Sequence, residues 1–317
     1  MRRLALVLFL ICLVTTANAA NRFWVGGTGT LDSSDTTHWS ATSGGAGGAS
    51  VPGIGDAVIF DASSGGGTVT VNFGGAISIL SLAMGAFTGT LDFSVNNNSI
   101  ITGSPNGTGI NISGTGTRTL KMGNGTWTTN IIFAGASAWN ASITTNLTFQ
   151  PNGSTIVING TTTNQTSFAG GGLAYNNITI GPNTSLGYFS VANSGGSFAN
   201  ITLSPPASLV TSTDITATSL TSNGTSSNQN YITTTTHTNI ANIISIASGS
   251  YTLNWTGIRA TTFSGGATFA ATNSFNLGLN SGISFGGGGC ILGGWLLWRD
   301  FHENLNDNFP VFLEKAA

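Results

Sequence analysis

The acidic residues are the first candidates for catalysis, because a polysaccharide hydrolase needs two carboxyl groups about 5–9.5 Å apart. The 317-residue sequence has ten acidic and eight basic residues. Asp56 and Asp61 lie five residues apart around the strand-like segment AVIF, and an odd offset along a strand places two side chains on opposite faces. Asp92 points away from its apolar neighbours and meets Asp214 only if their strands happen to stack. We therefore expect no catalytic residue; a polysaccharide-degrading enzyme is the alternative.

Metal ligands and basic catalysts are equally sparse. His38, His237 and His302 are far apart and share no ligand spacing. The residues that a lyase would use as a base are isolated in the sequence: Arg118, Lys121 and Arg259. We expect no metal and no cofactor.

The tryptophans are the best candidates for recognition of a ligand. Trp127, Trp139 and Trp255 each lie among small polar residues, and an outward-facing indole on a polar sheet stacks on sugar rings. These three residues are predicted glycan contacts. The alternative is that each fills the interior or a corner of the fold. Trp24 and Trp39 are expected to pack over the first coil as its lid.

The first nineteen residues are typical of a secretory signal. Arg2 and Arg3 precede an apolar run over residues 4–14, and Ala17-Asn18-Ala19 forms a cleavage pattern. The run is shorter than the roughly 20 residues of a membrane-spanning helix, although a retained anchor is an alternative. Cleavage leaves six basic residues against ten acidic ones, a net charge of −4. So few cations exclude nucleic-acid binding, and we expect a secreted or cell-surface protein, with a virion as the alternative.

The region after the signal reads as all-β. Short β-branched clusters alternate apolar residues with Ser, Thr or Asn, as in TVTVNF at 68–73. Between residues 62 and 280 there is no Glu, and Lys121 is the only Lys. We divide the chain into a signal peptide (1–19), an N-terminal cap segment (20–62), a strand-rich region (63–285) and a C-terminal capping or docking tail (286–317).

A near-repeat indicates the architecture. YNNITI occupies residues 175–180 and FANITL residues 198–203, so that Tyr175 aligns with Phe198 and Asn177 with Asn200. The segment NLTF at 146–149 is a weaker echo. A period of this length is typical of a solenoid, in which Asn and Thr form hydrogen-bonded ladders from coil to coil. We predict a right-handed parallel β-helix, with an antiparallel β-sandwich array as the alternative.

The last residues differ from the rest. Ile291, Leu292, Trp295 and Leu296 have the spacing of a short amphipathic helix that Pro310 would end. These four residues are predicted assembly contacts, either capping the solenoid or docking on another subunit. A membrane anchor is a weaker alternative, and Cys290 is a buried hydrophobe or a crosslink between chains.

The opening segment resembles phage tail-fibre-like and bacterial adhesin-like β-helix surface proteins. The resemblance rests on FWVGG (23–27), HWS (38–40), VP (51–52), GD (55–56) and VIFD (58–61), with a further likeness at 264–285. It implies a stalk or fibre element on a cell or virion surface and carries no catalytic residues. The signal and the apolar tail depart from the pattern. We expect a structural or adhesive rod that self-associates or contacts cell-surface or virion components and possible glycans; a self-assembling extracellular filament subunit is a further alternative.

Overall fold

A computed structural model describes residues 20–103, 107–131, 136–160, 166–182, 189–192, 196–234 and 242–286. The predicted signal peptide and the predicted assembly contacts Ile291, Leu292, Trp295 and Leu296 lie outside these residues, as does Cys290. Among the described residues there is no helix of the length and apolarity needed to span a membrane.

The described residues form short strands and one turn of 3-10 helix at Ala62–Ser64. In chain order the strands are β1 (Asn21–Trp24), β2 (Gly29–Leu31), β3 (Trp39–Ser40), β4 (Ala57–Ile59), β5 (Thr68–Val71), β6 (Ile77–Ile79), β7 (Ser81–Ala83), β8 (Thr90–Asp92), β9 (Ile100–Thr102), β10 (Ile110–Asn111), β11 (Arg118–Lys121), β12 (Thr126–Ile131), β13 (Ser137–Asn140), β14 (Leu147–Gln150), β15 (Thr155–Gly160), β16 (Thr166–Ala169), β17 (Ala174–Ile180), β18 (Phe189–Ala192), β19 (Ser197–Leu203), β20 (Ser208–Thr211), β21 (Ile215–Ser222), β22 (Asn230–Thr234), β23 (Asn242–Ile246), β24 (Ser250–Asn254), β25 (Thr256–Ile258), β26 (Thr261–Ser264), β27 (Thr268–Thr272), β28 (Phe275–Asn276) and β29 (Ser284–Phe285).

Within the described residues these strands form four sheets. Sheet A has twelve strands in the order β28-β25-β22-β20-β18-β16-β13-β10-β7-β4-β1-β3. Sheet C has nine in the order β26-β23-β21-β19-β17-β15-β12-β9-β6. Sheet B has five in the order β14-β11-β8-β5-β2, and sheet D has three in the order β24-β27-β29. Each described strand pair is parallel except β1 with β3.

Consecutive strands visit the sheets in a repeating order. From β4 to β15 the described strands go to sheets A, B and C in turn, and from β16 to β23 they alternate between A and C. From β24 onward sheet D joins the cycle. Each of these strands thus pairs with the next strand along the chain that belongs to the same sheet. The all-β prediction is confirmed, and the antiparallel sandwich array is wrong for the described strands because their pairing is parallel.

The near-repeat is explained by register. β17 and β19 pair with Tyr175 opposite Phe198, Asn177 opposite Asn200 and Ile178 opposite Ile201. The predicted alignment of YNNITI with FANITL is therefore confirmed residue by residue. The weaker repeat at NLTF does not align with YNNITI and FANITL in the structure. Leu147–Gln150 belongs to sheet B and pairs with β11.

The core lies on the inward faces of the sheets. On sheet C one inward position is occupied in five successive strands by residues that are almost completely buried: Trp127, Ile156, Ile178, Ile201 and Leu220. Tyr175 and Phe198 stack beside them with ring centroids 5.4 Å apart. Like residues stack on like because parallel in-register pairing brings the same position of each strand together.

The N-terminal segment closes the edge of sheet A. β1 pairs in parallel with β4 and is covered by β3, which places Trp24 opposite Trp39. Both indoles are fully buried and contact Phe60, with ring centroids 5.8 and 6.4 Å away. The prediction that these two tryptophans pack over the first strands is confirmed. Gly27 is required in FWVGG, since its φ is +71° and a Cβ there would lie 2.7 Å from Gly66 O.

Candidate functional site

The carboxylates of the N-terminal segment shape turns. Asp32 accepts the backbone N–H groups of Ser34 and Asp35 at 2.7 Å each, and Asp35 accepts the hydroxyl and N–H of Thr37. The N–H of Asp35, followed by that of Ser34, lowers the pKa of Asp32, and the Thr37 hydroxyl lowers the pKa of Asp35. In both residues the Oδ1 oxygen accepts hydrogen bonds from the residues that follow, as is usual for Asp in turns.

The two carboxylates around AVIF also serve separate turns. Asp56 accepts the N–H of Gly53 at 2.9 Å and lies 3.7 Å from the guanidinium of Arg22. Asp61 caps the 3-10 turn by accepting the N–H of Ser63. Neither arrangement forms a carboxylate pair of the kind that hydrolysis of a glycosidic bond needs.

Asp92 has a partner that the sequence did not reveal. Lys121 lies directly opposite it on β11, and the Lys121 ammonium donates to Asp92 Oδ2 at 2.9 Å. Ser94 donates to the other oxygen through its hydroxyl and its N–H. Burial raises the pKa of Asp92, but the hydrogen bonds from Ser94 and Lys121 outweigh it and hold the pKa below its ordinary value. The expectation that Lys121 is isolated is wrong, because the parallel pairing of β8 with β11 brings it to Asp92.

Arg118 is a structural cation. Its side chain is 1 % exposed, and its guanidinium donates to the carbonyl oxygens of Ile112, Gly116, Ile143 and Thr145. Ile112 and Gly116 belong to one loop, and Ile143 and Thr145, which lie 25 and 27 residues from Arg118, belong to another, so one side chain joins two loops. Burial lowers its pKa, yet a guanidinium stays charged. Arg118 is therefore engaged by the backbone rather than poised as a base.

Metal-binding groups do not assemble in the part of the chain that the structure describes, where no three His, Cys, Asp or Glu side chains lie together. His38 stacks on Trp24 with ring centroids 4.6 Å apart, and its Nδ1 is hydrogen-bonded to Val25 O at 2.8 Å. His237 and His302 lie outside the described residues.

Two of the predicted glycan contacts are interior residues. Trp127 is 1 % exposed and Trp139 is 0 % exposed. The Trp139 Nε1–H donates to the Tyr175 hydroxyl at 3.0 Å, and Trp127 lies 4.6 Å from Phe93 between ring centroids. The prediction of glycan contact is wrong for these two residues, because neither indole reaches the surface.

The sequence contains a signal for the burial of Trp127. Thr126-Trp127-Thr128 alternates like Thr155-Ile156-Val157, so that Trp127 occupies the inward position of the repeat. The third candidate, Trp255, is half-buried in a left-handed backbone conformation with φ of 47°. Trp255 stays a predicted glycan contact. Because Trp127 and Trp139 are buried, they cannot form a shared surface with it.

The outward face of sheet C is the most regular surface of the described residues. We define two rows that cross β12, β15, β17, β19 and β21 in unbroken register. The amide row consists of Thr126, Thr155, Asn177, Asn200 and Ser219. The threonine row, two residues further along each strand, consists of Thr128, Val157, Thr179, Thr202 and Thr221. All ten side chains are partly or fully exposed, and none is charged.

The amide row is hydrogen-bonded from Thr155 to Ser219. Asn177 Nδ2 donates to Thr155 Oγ1 at 3.3 Å, Asn200 Nδ2 to Asn177 Oδ1 at 2.6 Å, and Ser219 Oγ to Asn200 Oδ1 at 2.5 Å. The predicted Asn/Thr ladder is thereby confirmed for these four residues. The ladder fixes the side-chain rotamers of this row, whereas among the described residues the threonine row has no hydrogen-bond partner for its hydroxyls.

Comparison with known proteins adds no relative. No protein-family model matches the sequence, and neither a curated protein nor a solved structure matches it.

Proposed function

We propose that the protein is a non-enzymatic structural or adhesive rod of an extracellular surface, built as a right-handed parallel β-helix. The observation that carries the proposal is the cyclic visiting of sheets A, B and C by consecutive strands, each pairing in parallel with its counterpart of the next cycle. A chain that returns to the same sheet at every cycle advances by one strand spacing each time. Parallel crossovers within a sheet are overwhelmingly right-handed, which supports the handedness.

The rod is stiff because its coils are joined both inside and outside. Buried aliphatic and aromatic residues stack in the interior, the Asn177–Asn200 ladder joins coils outside, and Arg118 ties two loops together. Twelve strands at about 4.8 Å each give sheet A a length of about 50 Å. Such a solenoid needs no disulfide to be stable outside the cell, because each coil buries its apolar face on the next.

The non-enzymatic assignment is supported by the positions of the acids. Asp32, Asp35 and Asp61 shape turns, and Asp92 is paired with Lys121. Asp214 accepts the N–H of Ile243 at 2.8 Å. A polysaccharide-degrading enzyme is the alternative function, and it requires two free carboxylates on one face.

Electron microscopy of the secreted chain from residue 20 onward, with light scattering on the same sample, tests the proposal. We expect thin rods or ordered multimers and no cleavage of a panel of surface polysaccharides. A compact particle shorter than the length of sheet A contradicts the rod, and release of reducing ends contradicts the non-enzymatic assignment. Filaments that require residues 290–317 would identify the filament subunit instead.

A further inference from the structure

The two rows on sheet C form a two-dimensional lattice. Parallel strands place equivalent side chains about 4.8 Å apart from strand to strand, and residues two apart on one strand lie about 6.6 Å apart. The register holds through five strands without a shift, from Thr126 and Thr128 to Ser219 and Thr221. Sheets that extend over many strands keep a flat surface when side-chain ladders join them, and the amide row is such a ladder. Both repeat distances are close to the separations of oxygen atoms on the surface of hexagonal ice.

The chemistry of the lattice is as regular as its spacing. Six of the ten positions are Thr, each with one hydroxyl and one methyl group on a β-branched side chain whose χ1 is restricted. The hydroxyls of Thr179 and Thr202 have no partner among the described residues, so they bind solvent. Water molecules on neighbouring hydroxyls are then held at the lattice spacing, and a bridging water is nearly as favourable as a direct hydrogen bond. The methyl groups between them exclude disordered water.

From this arrangement we infer that the outer face of sheet C binds ice. A crystal of water repeats in both directions of the face and carries no charge. Charged side chains hold strong hydration shells that do not fit a crystal lattice, and none is present in the two rows. The inference depends on the register of sheet C and does not require the rod to be a fibre or an adhesin.

A polysaccharide fits the face less well than ice does. Recognition of sugars relies on aromatic faces, and the two outward rows contain no aromatic residue. The aromatic residues of these five strands point inward, since Trp127 on β12, Tyr175 on β17 and Phe198 on β19 are almost completely buried.

Sheet B supplies the matched control surface. It also has an outward threonine row, in which Thr90, Thr119 and Thr148 are in register, but the neighbouring row contains the charged pair Asp92 and Lys121. Thr148 is exposed on β14 at the edge of this sheet. A bulky residue at Thr148 therefore changes the surface of the protein without touching the lattice.

The test measures thermal hysteresis and partition into growing ice for the full secreted protein and its variants. We expect ice shaping by the wild type, loss of hysteresis in Thr202→Tyr and Thr179→Tyr, and unchanged hysteresis in Thr148→Tyr. Circular dichroism shows whether each variant is folded, and Thr202→Lys replaces Thr202→Tyr if the latter is not. Insoluble chitin, cellulose and peptidoglycan are included as competing ligands.

Three results overturn the inference. The first is a folded wild type with neither hysteresis nor uptake into ice. The second is an equal loss of thermal hysteresis in Thr202→Tyr and Thr148→Tyr, which would show that sheet C has no specific role in ice binding. The third is binding to a polysaccharide that Thr202→Tyr abolishes while ice is ignored, which would assign the face to a glycan. Electron microscopy tests the proposed rod separately. A negative result for ice binding therefore does not contradict the rod.

Discussion

The side-chain amide of Asn200 donates to Asn177 Oδ1 at 2.6 Å across a sequence separation of 23 residues. The two residues lie directly opposite each other on β17 and β19. Asn177 continues to Thr155 and Asn200 to Ser219, so the pair is the centre of a four-residue ladder. The in-register pairing of β17 with β19 explains why the sequence nearly repeats a hexapeptide, because equivalent residues of the two strands lie side by side.

Removal of this amide contact is expected to weaken the stack. Asn200→Ala should lower the free energy of unfolding by about 1 kcal/mol, the usual net contribution of a hydrogen bond. A double-mutant cycle with Asn177→Ala should give a coupling of about 0.5–1.5 kcal/mol in urea denaturation. Thr216→Ala, at an exposed position of the neighbouring strand, is the control and should change stability little. Additive effects of the two Asn variants would contradict the ladder.

Arg118 should be among the residues least tolerant of substitution. Arg118→Ala leaves the carbonyl oxygens of Ile112, Gly116 and Thr145 without their side-chain donor, and is expected to cost about 3–5 kcal/mol of unfolding free energy. Ile143 O keeps the N–H of Gly114. Arg118→Lys should recover little, because an ammonium lacks the planar five-donor fork. Guanidinium denaturation measures both, with Arg22→Ala as the control near the surface. Full stability of Arg118→Lys would show that charge alone is sufficient.

The Asp92–Lys121 pair predicts a pH dependence. Because the folded-state pKa of Asp92 is below its ordinary value of 3.8, its contribution to stability is complete above that value. The contribution is lost as the pH falls through the folded-state pKa. Melting temperatures from pH 7 to pH 2 should therefore show Asp92→Asn less stable than the wild type at neutral pH, with the difference shrinking in acid. Lys121→Gln should lose less stability than Asp92→Asn at neutral pH, since Ser94 still donates to Asp92.

The buried aromatic cluster has one polar chain at its centre. Trp139 Nε1 donates to the Tyr175 hydroxyl, which donates to Gly170 O at 2.8 Å, and burial raises the pKa of Tyr175 so that the hydroxyl stays protonated. Tyr175→Phe leaves the indole N–H without its partner, whereas Gly170 O keeps the N–H of Leu173, and should cost about 1–3 kcal/mol. Tyr251→Phe removes a hydroxyl that bonds Thr218 O in an exposed setting and should cost less. Equal losses in thermal unfolding would contradict the importance of burial.

Two stacked threonines offer a stabilising change. Thr102 and Thr129 are in register, fully buried, and neither hydroxyl has a hydrogen-bond partner among the described residues. Replacement by Val keeps the shape and removes a buried polar group, so Thr102→Val and Thr129→Val should be neutral or stabilising by about 1 kcal/mol. Thr211→Val is the control, because the Thr211 hydroxyl donates to Thr233 O and its loss should destabilise. A large destabilisation of Thr129→Val would reveal a partner for its hydroxyl.

Local patterns predicted the strands with clear apolar alternation and mostly missed the others. The alternation of TVTVNF at residues 68–73 predicts a strand where β5 lies. ISILSLAM at 77–84 reads as one strand, yet the chain turns at Leu80 and sends β6 to sheet C and β7 to sheet A. SAWN and TSFA, which form β13 and β16 of sheet A, have too few apolar residues to be recognised.

By itself the sequence determined the all-β class, the inward and outward faces of individual strands and the register of β17 with β19. These properties depend on alternation within a strand and on one repeat of fixed length, both of which are local. Only the tertiary structure decided which distant residues meet, such as Asp92 with Lys121, and that Trp139 lies inside. Paired parallel strands are 14 to 40 residues apart in the sequence because the loops between them differ in length. No fixed period in the sequence therefore predicts these contacts, and the packed interior determines them instead.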